Sequence, residues 1–283
     1  MDLLGWLRKL NISTAPVKAE EPAKVSKVLS EESKPPESNV TNLSARVAQS
    51  EHELRQLEQS SNKHIVCNGV SISIEWDKVV LWTDKNGLGY AKNCYDGRTS
   101  RKPTMFVAHW DVCLSTDSMV KVTKERGLSV HFGIDNDGTI YQMLDTKEVA
   151  WHARGANNVS VGVEISNGVS LKYNSFYVKK GFGERPIIQT EKVHGKEIGP
   201  YLGFFPAQIE AFKALTRALN AAHGIPFEVP TKDGTLLKTV SPEVVKNTFK
   251  GVVGHYHITE AKIDPGCLPI DKIVGELKHE SKA

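Results

Sequence analysis

Met105-Phe106-Val107-Ala108-His109 is a run of four apolar residues closed by a histidine, in a chain of 283 residues. A short unbroken apolar run reads as a strand buried on both faces, and such strands belong to sheets covered by helices on either side. Working outward, Ser115 to Arg126 reads as a helix, with Ser115 or Thr116 as N-cap and Gly127 as the stop. Val130–Ile134 and Thr139–Met143 flank Asp135-Asn136-Asp137-Gly138 and predict a hairpin, and Val159 to Ile165 predicts another buried strand. Residues 206 to 223 put Ile209, Phe212, Leu215, Leu219 and Ala222 on one helical face, with Gly224 and Pro226 closing the element. Upstream, Ile65–Cys67 and Val70–Trp76 read as strands joined by Asn68-Gly69, a strong hairpin signal. Strands and helices thus alternate from residue 63 onward, and the economical expectation is one α/β domain.

The first 62 residues have a different texture. From Leu7 to Lys63 there is no glycine and no aromatic residue, and Ser, Glu, Lys and Pro dominate. Residues 11 to 40 read as linker, because such a segment cannot bury enough apolar surface to offset its ordering entropy. Leu43, Val47, Leu54 and Leu57 suggest a solvated helix over 41 to 60, too short a repeat for a coiled coil. Leu3, Leu4, Trp6, Leu7 and Leu10 make an amphipathic start able to dock on a partner or a membrane surface. The expected organisation is an N-terminal extension at 1–62, a catalytic domain at 63–275 and a C-terminal tail at 276–283.

Composition narrows the function. The hydrophobic content of 40% suffices for a sizeable core, while a net charge of +3 and a pI near 8.5 do not suggest nucleic acid as a partner. The cysteines at 67, 94, 113 and 267 include no Cys-x-x-Cys pair and do not read as a disulfide framework. Asp2 precedes the apolar start and the basic residues follow it, the reverse of a signal peptide. No run approaches the roughly 18 apolar residues of a membrane span. The expectation is therefore synthesis in a cytoplasm, with any target outside it reached by another route.

The chemistry concentrates near the C-terminus, in Gly254-His255-Tyr256-His257-Ile258-Thr259-Glu260-Ala261-Lys262-Ile263-Asp264-Pro265-Gly266-Cys267. Catalytic zinc takes three protein ligands and keeps a fourth position open. His255 and Asp264 can supply two, and the best candidate for the third is His109, at the end of the opening strand. His257 rivals His255, and Cys267 rivals Asp264, since thiolate is a good zinc ligand.

Five blocks in order resemble the zinc-dependent N-acetylmuramoyl-L-alanine amidases of the amidase-2 type, a family that includes many phage lysins and is related to peptidoglycan-recognition proteins. They are Phe106-Val107-Ala108-His109; His131 to Ile140; Ala150-Trp151-His152-Ala153 with Asn157 and Ser160-Val161-Gly162-Val163-Glu164; Gln208; and Gly254-His255 with Lys262-Ile263-Asp264-Pro265-Gly266. The resemblance covers roughly residues 65 to 272 and implies a central mixed β-sheet flanked by helices, with a zinc site in a surface groove. It implies His109, His255 and Asp264 as metal ligands, Glu164 as the catalytic carboxylate and Lys262 as a second electrophilic group. Where one branch of the family has a catalytic tyrosine this chain has Val130, which leaves Glu164 as the general base.

The implied reaction is zinc-dependent hydrolysis of the amide between N-acetylmuramic acid and L-alanine in bacterial peptidoglycan, by a phage endolysin or virion-associated lysin. A non-catalytic peptidoglycan-binding module and a cytoplasmic cell-wall-recycling amidase are the alternatives. In that setting Trp151, His152 and Asn157 are candidate substrate contacts, although Trp151 also suits a core and Asn157 a turn. His131 reads as a hydrogen-bonded structural histidine, and His52, His64, His194, His223 and His279 read as solvent-facing. Residues 169 to 203, rich in lysine and aromatics, read as an insertion walling the groove.

Overall fold

The computed structural model describes residues 63–98 and 100–282. The amphipathic start, the linker and the helix expected over 41–60 lie outside the described residues. A six-stranded sheet organises the rest, in the order Gly251–Gly254, Met105–Trp110, Ser160–Ile165, Phe132–Ile134, Ile140–Gln142, Val79–Leu81. The first four strands run parallel, Ile140–Gln142 runs antiparallel to Phe132–Ile134, and Val79–Leu81 is parallel to Ile140–Gln142, so the sheet is mixed.

Met105–Trp110 is buried along its whole length, as its unbroken apolar run predicts. Alternate residues on a strand face opposite sides, and the packing follows that rule. Phe106 stacks on Phe212 of the helix Pro206–His223, with ring centroids 5.2 Å apart, an arrangement worth about 0.5–1.5 kcal/mol beyond area burial. Met105 and Val107 on the other face pack with Val253, Ala153, Ala156 and Val244. The helix Thr116–Glu125 begins on a Ser115 cap reinforced by Ser118 and lays Met119 against Gly133, where an added Cβ would meet Thr116 Cγ2 at 2.5 Å.

The early hairpin pairs His64–Cys67 with Val70–Ser73, turning through Asn68 and Gly69 at positive φ. It forms its own two-stranded sheet, joined to the main one by Gln142, whose carboxamide accepts from Val66 N–H and donates to Val66 O. The last helix runs from Ile270 to Glu280 and buries Leu277 with Ile273 and Val274, so its apolar stripe carries the packed chain into the expected tail.

Residues 169–203 contain a short helix, Asn174–Lys179, and two small hairpin-like sheets. Tyr177 and Tyr201 are fully buried, and Arg185 is 2% exposed, so these groups serve packing rather than a groove surface. The Arg185 guanidinium lies between the Tyr177 and Phe205 rings and donates to Gly203 O, Gln208 Oε1, Asn136 Oδ1 and Ser166 O. One buried cation thereby ties the excursion to the sheet and to the long helix, with the aromatic faces supplying part of its solvation. The four cysteines are free thiols.

Three histidines are internal fittings. His131 Nδ1 accepts from Gly162 N–H, in line with its structural reading. His257 accepts from Gly254 N–H and donates to Leu237 O. His223, expected in solvent, is 9% exposed and shares a 2.8 Å hydrogen bond with Thr146 Oγ1 at the end of the long helix. Burial pushes all three imidazoles down: His131 well below its ordinary value, His223 to about 4 and His257 to about 3. The unfolded chain takes up these protons near pH 6.5, whereas the folded chain does not. The associated stability is complete above that pH and is lost as the pH falls from 6.5 toward 4 and 3. In chelator-treated protein, His223→Gln should flatten the decline of unfolding free energy between pH 6.5 and 4 by up to about 1.4 kcal/mol per pH unit. An unchanged slope would mean that His223 is charged in the folded protein.

Candidate metal centre

Strand register brings the site together. His109 is the direct cross-strand partner of Glu164, and Ala108 pairs with Gly254, so His255 follows at the level of His109. In-register residues of parallel neighbours face the same side, which places His109 and Glu164 on the face that carries Met105 and Val107. Beyond Gly254 the chain leaves the sheet as a 3-10 turn, His255–His257. The turn sends His257 away toward Leu237 while His255 faces His109. Residues 264 to 267 form a turn rather than extended chain, and Asp264 is held by Tyr256 N–H donating to its carbonyl at 3.1 Å.

His109 Nδ1, His255 Nδ1 and Asp264 Oδ2 form a nearly equilateral triangle, with sides of 2.9, 3.0 and 3.1 Å. All three residues are buried, at 1%, 7% and 3% exposure. Burial and the neighbouring His255 push the His109 imidazole down to about 4, so it is a neutral donor. Burial works against ionisation of Asp264, yet His255 and His109 outweigh it and hold this carboxyl well below its ordinary range. Asp264 Oδ1 is buried with no hydrogen-bond partner among the described residues.

A buried carboxylate with an unpartnered oxygen is costly unless a cation joins it. The triangle is close to the ~3.3 Å edge of a tetrahedron with metal bonds of ~2.0–2.1 Å, and two imidazoles with one carboxylate are a zinc-type donor set. The residues therefore fit a zinc ion, and His109, His255 and Asp264 form the potential metal-ligand cluster among the described residues.

Residues 99–267, more than half of the chain, match the family model of N-acetylmuramoyl-L-alanine amidases, Amidase_2. The chain belongs to this family. No curated protein matches the amidase in sequence. Among solved structures it is similar to the endolysin N-acetylmuramoyl-L-alanine amidase LysCS from Clostridium intestinale URNW, at 20% identity and a TM-score of 0.44, covering 73% of this chain and 99% of that one. It is also similar to the Ph2119 endolysin of the Thermus scotoductus MAT2119 bacteriophage, at 16% identity and a TM-score of 0.40, covering 70% and 98%. A third is the amidase AmiD from E. coli, solved with anhydro-N-acetylmuramic acid-L-Ala-D-gamma-Glu-L-Lys, at 18% identity and a TM-score of 0.41, covering 76% and 66%. The fold and the activity class of this amidase are those the sequence resemblance implied, and no described helix is long and apolar enough to cross a membrane.

Around the triangle, Glu164 Oε2 is buried and has no hydrogen-bond partner among the described residues. Burial, then the nearby Asp111 and Asp264 carboxylates, raise the Glu164 carboxyl well above its ordinary value, while Lys262 opposes them. Lys262 also lowers His109, so its ammonium lies within electrostatic reach of both groups.

His152 does not stand free in a loop. Its Nδ1 lies 3.0 Å from His109 Nε2, and its Nε2 lies 3.3 Å from Ser160 Oγ, which donates to Ala156 O at 2.8 Å. If His109 coordinates through Nδ1, its Nε2 carries the proton and donates to His152 Nδ1. His152 then donates through Nε2 to Ser160, and every proton in the row has an acceptor. Asn157 Oδ1 accepts from His152 N–H and Ala153 N–H, which holds that loop in shape. Trp151 is half-buried, with its backbone N–H bonded to Ser129 Oγ. Cys267 lies outside the triangle, and burial raises its thiol to about 11.

Two contributors escaped the sequence reading. Asp111, two residues past His109, is raised to about 7 by burial, against hydrogen bonds from Cys113 N–H, Asn167 N–H and Ser166 Oγ, and it adds to the pressure on Glu164. Gly162 leaves room for His152: an added Cβ would lie 2.5 Å from His152 Nδ1. Gly162→Ala should displace that ring and lower the unfolding free energy by about 1–3 kcal/mol. Chemical denaturation of the chelator-treated protein measures this, and a neutral substitution would show that the ring moves freely.

Proposed function

We propose that this amidase hydrolyses the amide joining the lactyl group of N-acetylmuramic acid to L-alanine, with zinc held by His109, His255 and Asp264. The observation that carries the reading is the buried triangle of those donors with Glu164 in register beside it, inside the segment matched to the family. When bound, the zinc supplies Lewis acidity, lowering the pKa of a coordinated water to about 7 and polarising the scissile carbonyl.

The chain's own residues do the rest. Glu164 takes a proton from the attacking water and returns it to the leaving amine of L-alanine. A general base works best with a pKa near the working pH, and the raised Glu164 carboxyl, tempered by Lys262, moves in that direction. Lys262 donates to the oxygen of the scissile carbonyl as it gains negative charge, a contribution of about 2.7–4 kcal/mol where such donors have been removed. His152 keeps the His109 Nε2 proton engaged and so fixes which nitrogen is free to coordinate. Trp151, beside His152, is proposed as a contact for the glycan or stem peptide, and Asn157 supports both through the loop backbone. The catalytic unit in this reading begins near residue 63, with residues 1–62 as an extension able to dock the enzyme on a partner.

Purified protein should carry about one zinc and release stem peptides from cell walls. Glu164→Ala should keep the zinc and lose turnover by ~10²- to 10⁴-fold, and Asp264→Ala should lose both. An active Glu164→Ala enzyme would remove Glu164 from the mechanism. Metal-free wild-type protein that binds walls without cutting them would favour a binding module. A lysin acts on intact sacculi and a recycling enzyme on soluble muropeptides, so comparing kcat/KM on the two substrates separates those roles.

A further inference from the structure

The excursion at 169–203 reaches the site by a route that the motif reading does not use. Its strands Glu191–Val193 and Lys196–Ile198 are joined by His194 and Gly195, with Val193 paired to Lys196. Both turn residues have positive φ, 53° and 71°. A two-residue turn of this kind favours Asn-Gly, Asp-Gly or Gly-Gly, and His194 stands where those sequences place Asn, Asp or Gly.

The imidazole has its own bonds. His194 Nε2 lies 2.8 Å from the carbonyl oxygen of Lys262, and Nδ1 lies 3.2 Å from Thr239 Oγ1. A carbonyl only accepts, so Nε2 carries the proton, and Nδ1 accepts from the threonine hydroxyl. His194 N–H donates to Lys238 O at 2.8 Å. The Lys238 ammonium pairs with Glu191, which also accepts from Tyr201 Oη, and reaches Gly266 O at 3.4 Å. The strap at 237–241 is itself anchored on His257, through Leu237 O and through Ser241 N–H donating to His257 O. The segment that carries Lys262 and Asp264 is thus gripped from outside at Lys262, by His194 of the excursion, and at Gly266, by Lys238 of the strap, whose ammonium is held by Glu191 of the excursion.

We infer that His194 is a positioning residue: its Nε2–H fixes the Lys262 carbonyl and with it the placement of the Lys262–Asp264 segment beside His109 and Glu164. The inference rests on the roles proposed above for Lys262 and Asp264. It assigns the 169–203 excursion the work of a clamp on the catalytic segment.

The turn supplies a test that separates clamping from folding. In the full chain, His194→Asn suits the turn, so the thermal midpoint should equal or exceed that of the wild type. The shorter side chain does not reach Lys262 O, whereas His194→Gln places an amide N–H where Nε2–H stood. Amide hydrogen exchange over residues 260–266 should rise about tenfold in His194→Asn and stay within about threefold of wild type in His194→Gln. On peptidoglycan, kcat should fall about tenfold in His194→Asn with KM unchanged, should recover in His194→Gln, and should show little further loss when His194→Asn is added to Lys262→Ala.

Unchanged exchange or unchanged kcat in His194→Asn would overturn the inference. So would a glutamine variant as impaired as the asparagine one, or a kcat loss that persists in full on the Lys262→Ala background. The exchange measurement needs no turnover, so it tests the clamp even if the wild-type chain cleaves nothing, an outcome that sinks the functional reading alone.

Discussion

The parallel, in-register pairing of Met105–Trp110 with Ser160–Ile165 on one side and Gly251–Gly254 on the other is the constraint on which everything else depends. A strand has a two-residue side-chain period, so a slip of one position would turn His109 or Glu164 to the wrong face. The apolar rows beneath the site prevent that slip: Phe106 against Phe212 on one face, Met105 and Val107 against Val253 on the other. Core packing and site assembly are the same interaction seen at two heights along three strands.

Close approach above the sheet then depends on missing side chains. His152 rests over Gly162, and Pro265 lies where a Cβ on Gly254 would come within 2.7 Å of its Cδ. Both glycines adjoin the donor triangle, and both let a ring approach the backbone without strain. The electrostatics follow from the same crowding. Burial pushes His109 down, the neighbouring histidines hold Asp264 low against its burial, and burial together with the nearby carboxylates pushes Glu164 upward. Asp264 and Glu164 thus receive opposite protonation tendencies from one small volume.

Much of this was legible in the residues. The apolar run ending in His109, the capped helix after Ser115, the Asn68-Gly69 turn and the amphipathic face of 206–223 are local patterns, and local patterns survive folding because they follow from backbone geometry. The Gly-His and Lys-x-Asp-Pro-Gly pieces carried the donor candidates for the same reason. Other residues were misread because nothing local marks them. His223 and His194 stand in ordinary polar surroundings in sequence, yet one is buried against Thr146 and the other bonds the Lys262 carbonyl. The excursion read as a wall of the groove, whereas its Tyr177 and Tyr201 are core and its Arg185 is a buried strut.

The sequence by itself determined the α/β class, the strand that ends in His109 and the short set of side chains able to bind a metal, because periodicity, capping and ligand chemistry are properties of neighbouring residues. Only the tertiary structure decided between His255 and His257 and between Asp264 and Cys267 as members of the triangle, because a 3-10 turn at 255–257 and a further turn at 264–267 set where each side chain goes. It alone also brought His152, Asp111 and His194 to the site. Those contacts join strands and loops far apart in the chain, and their distances are set by packing rather than by spacing along the backbone.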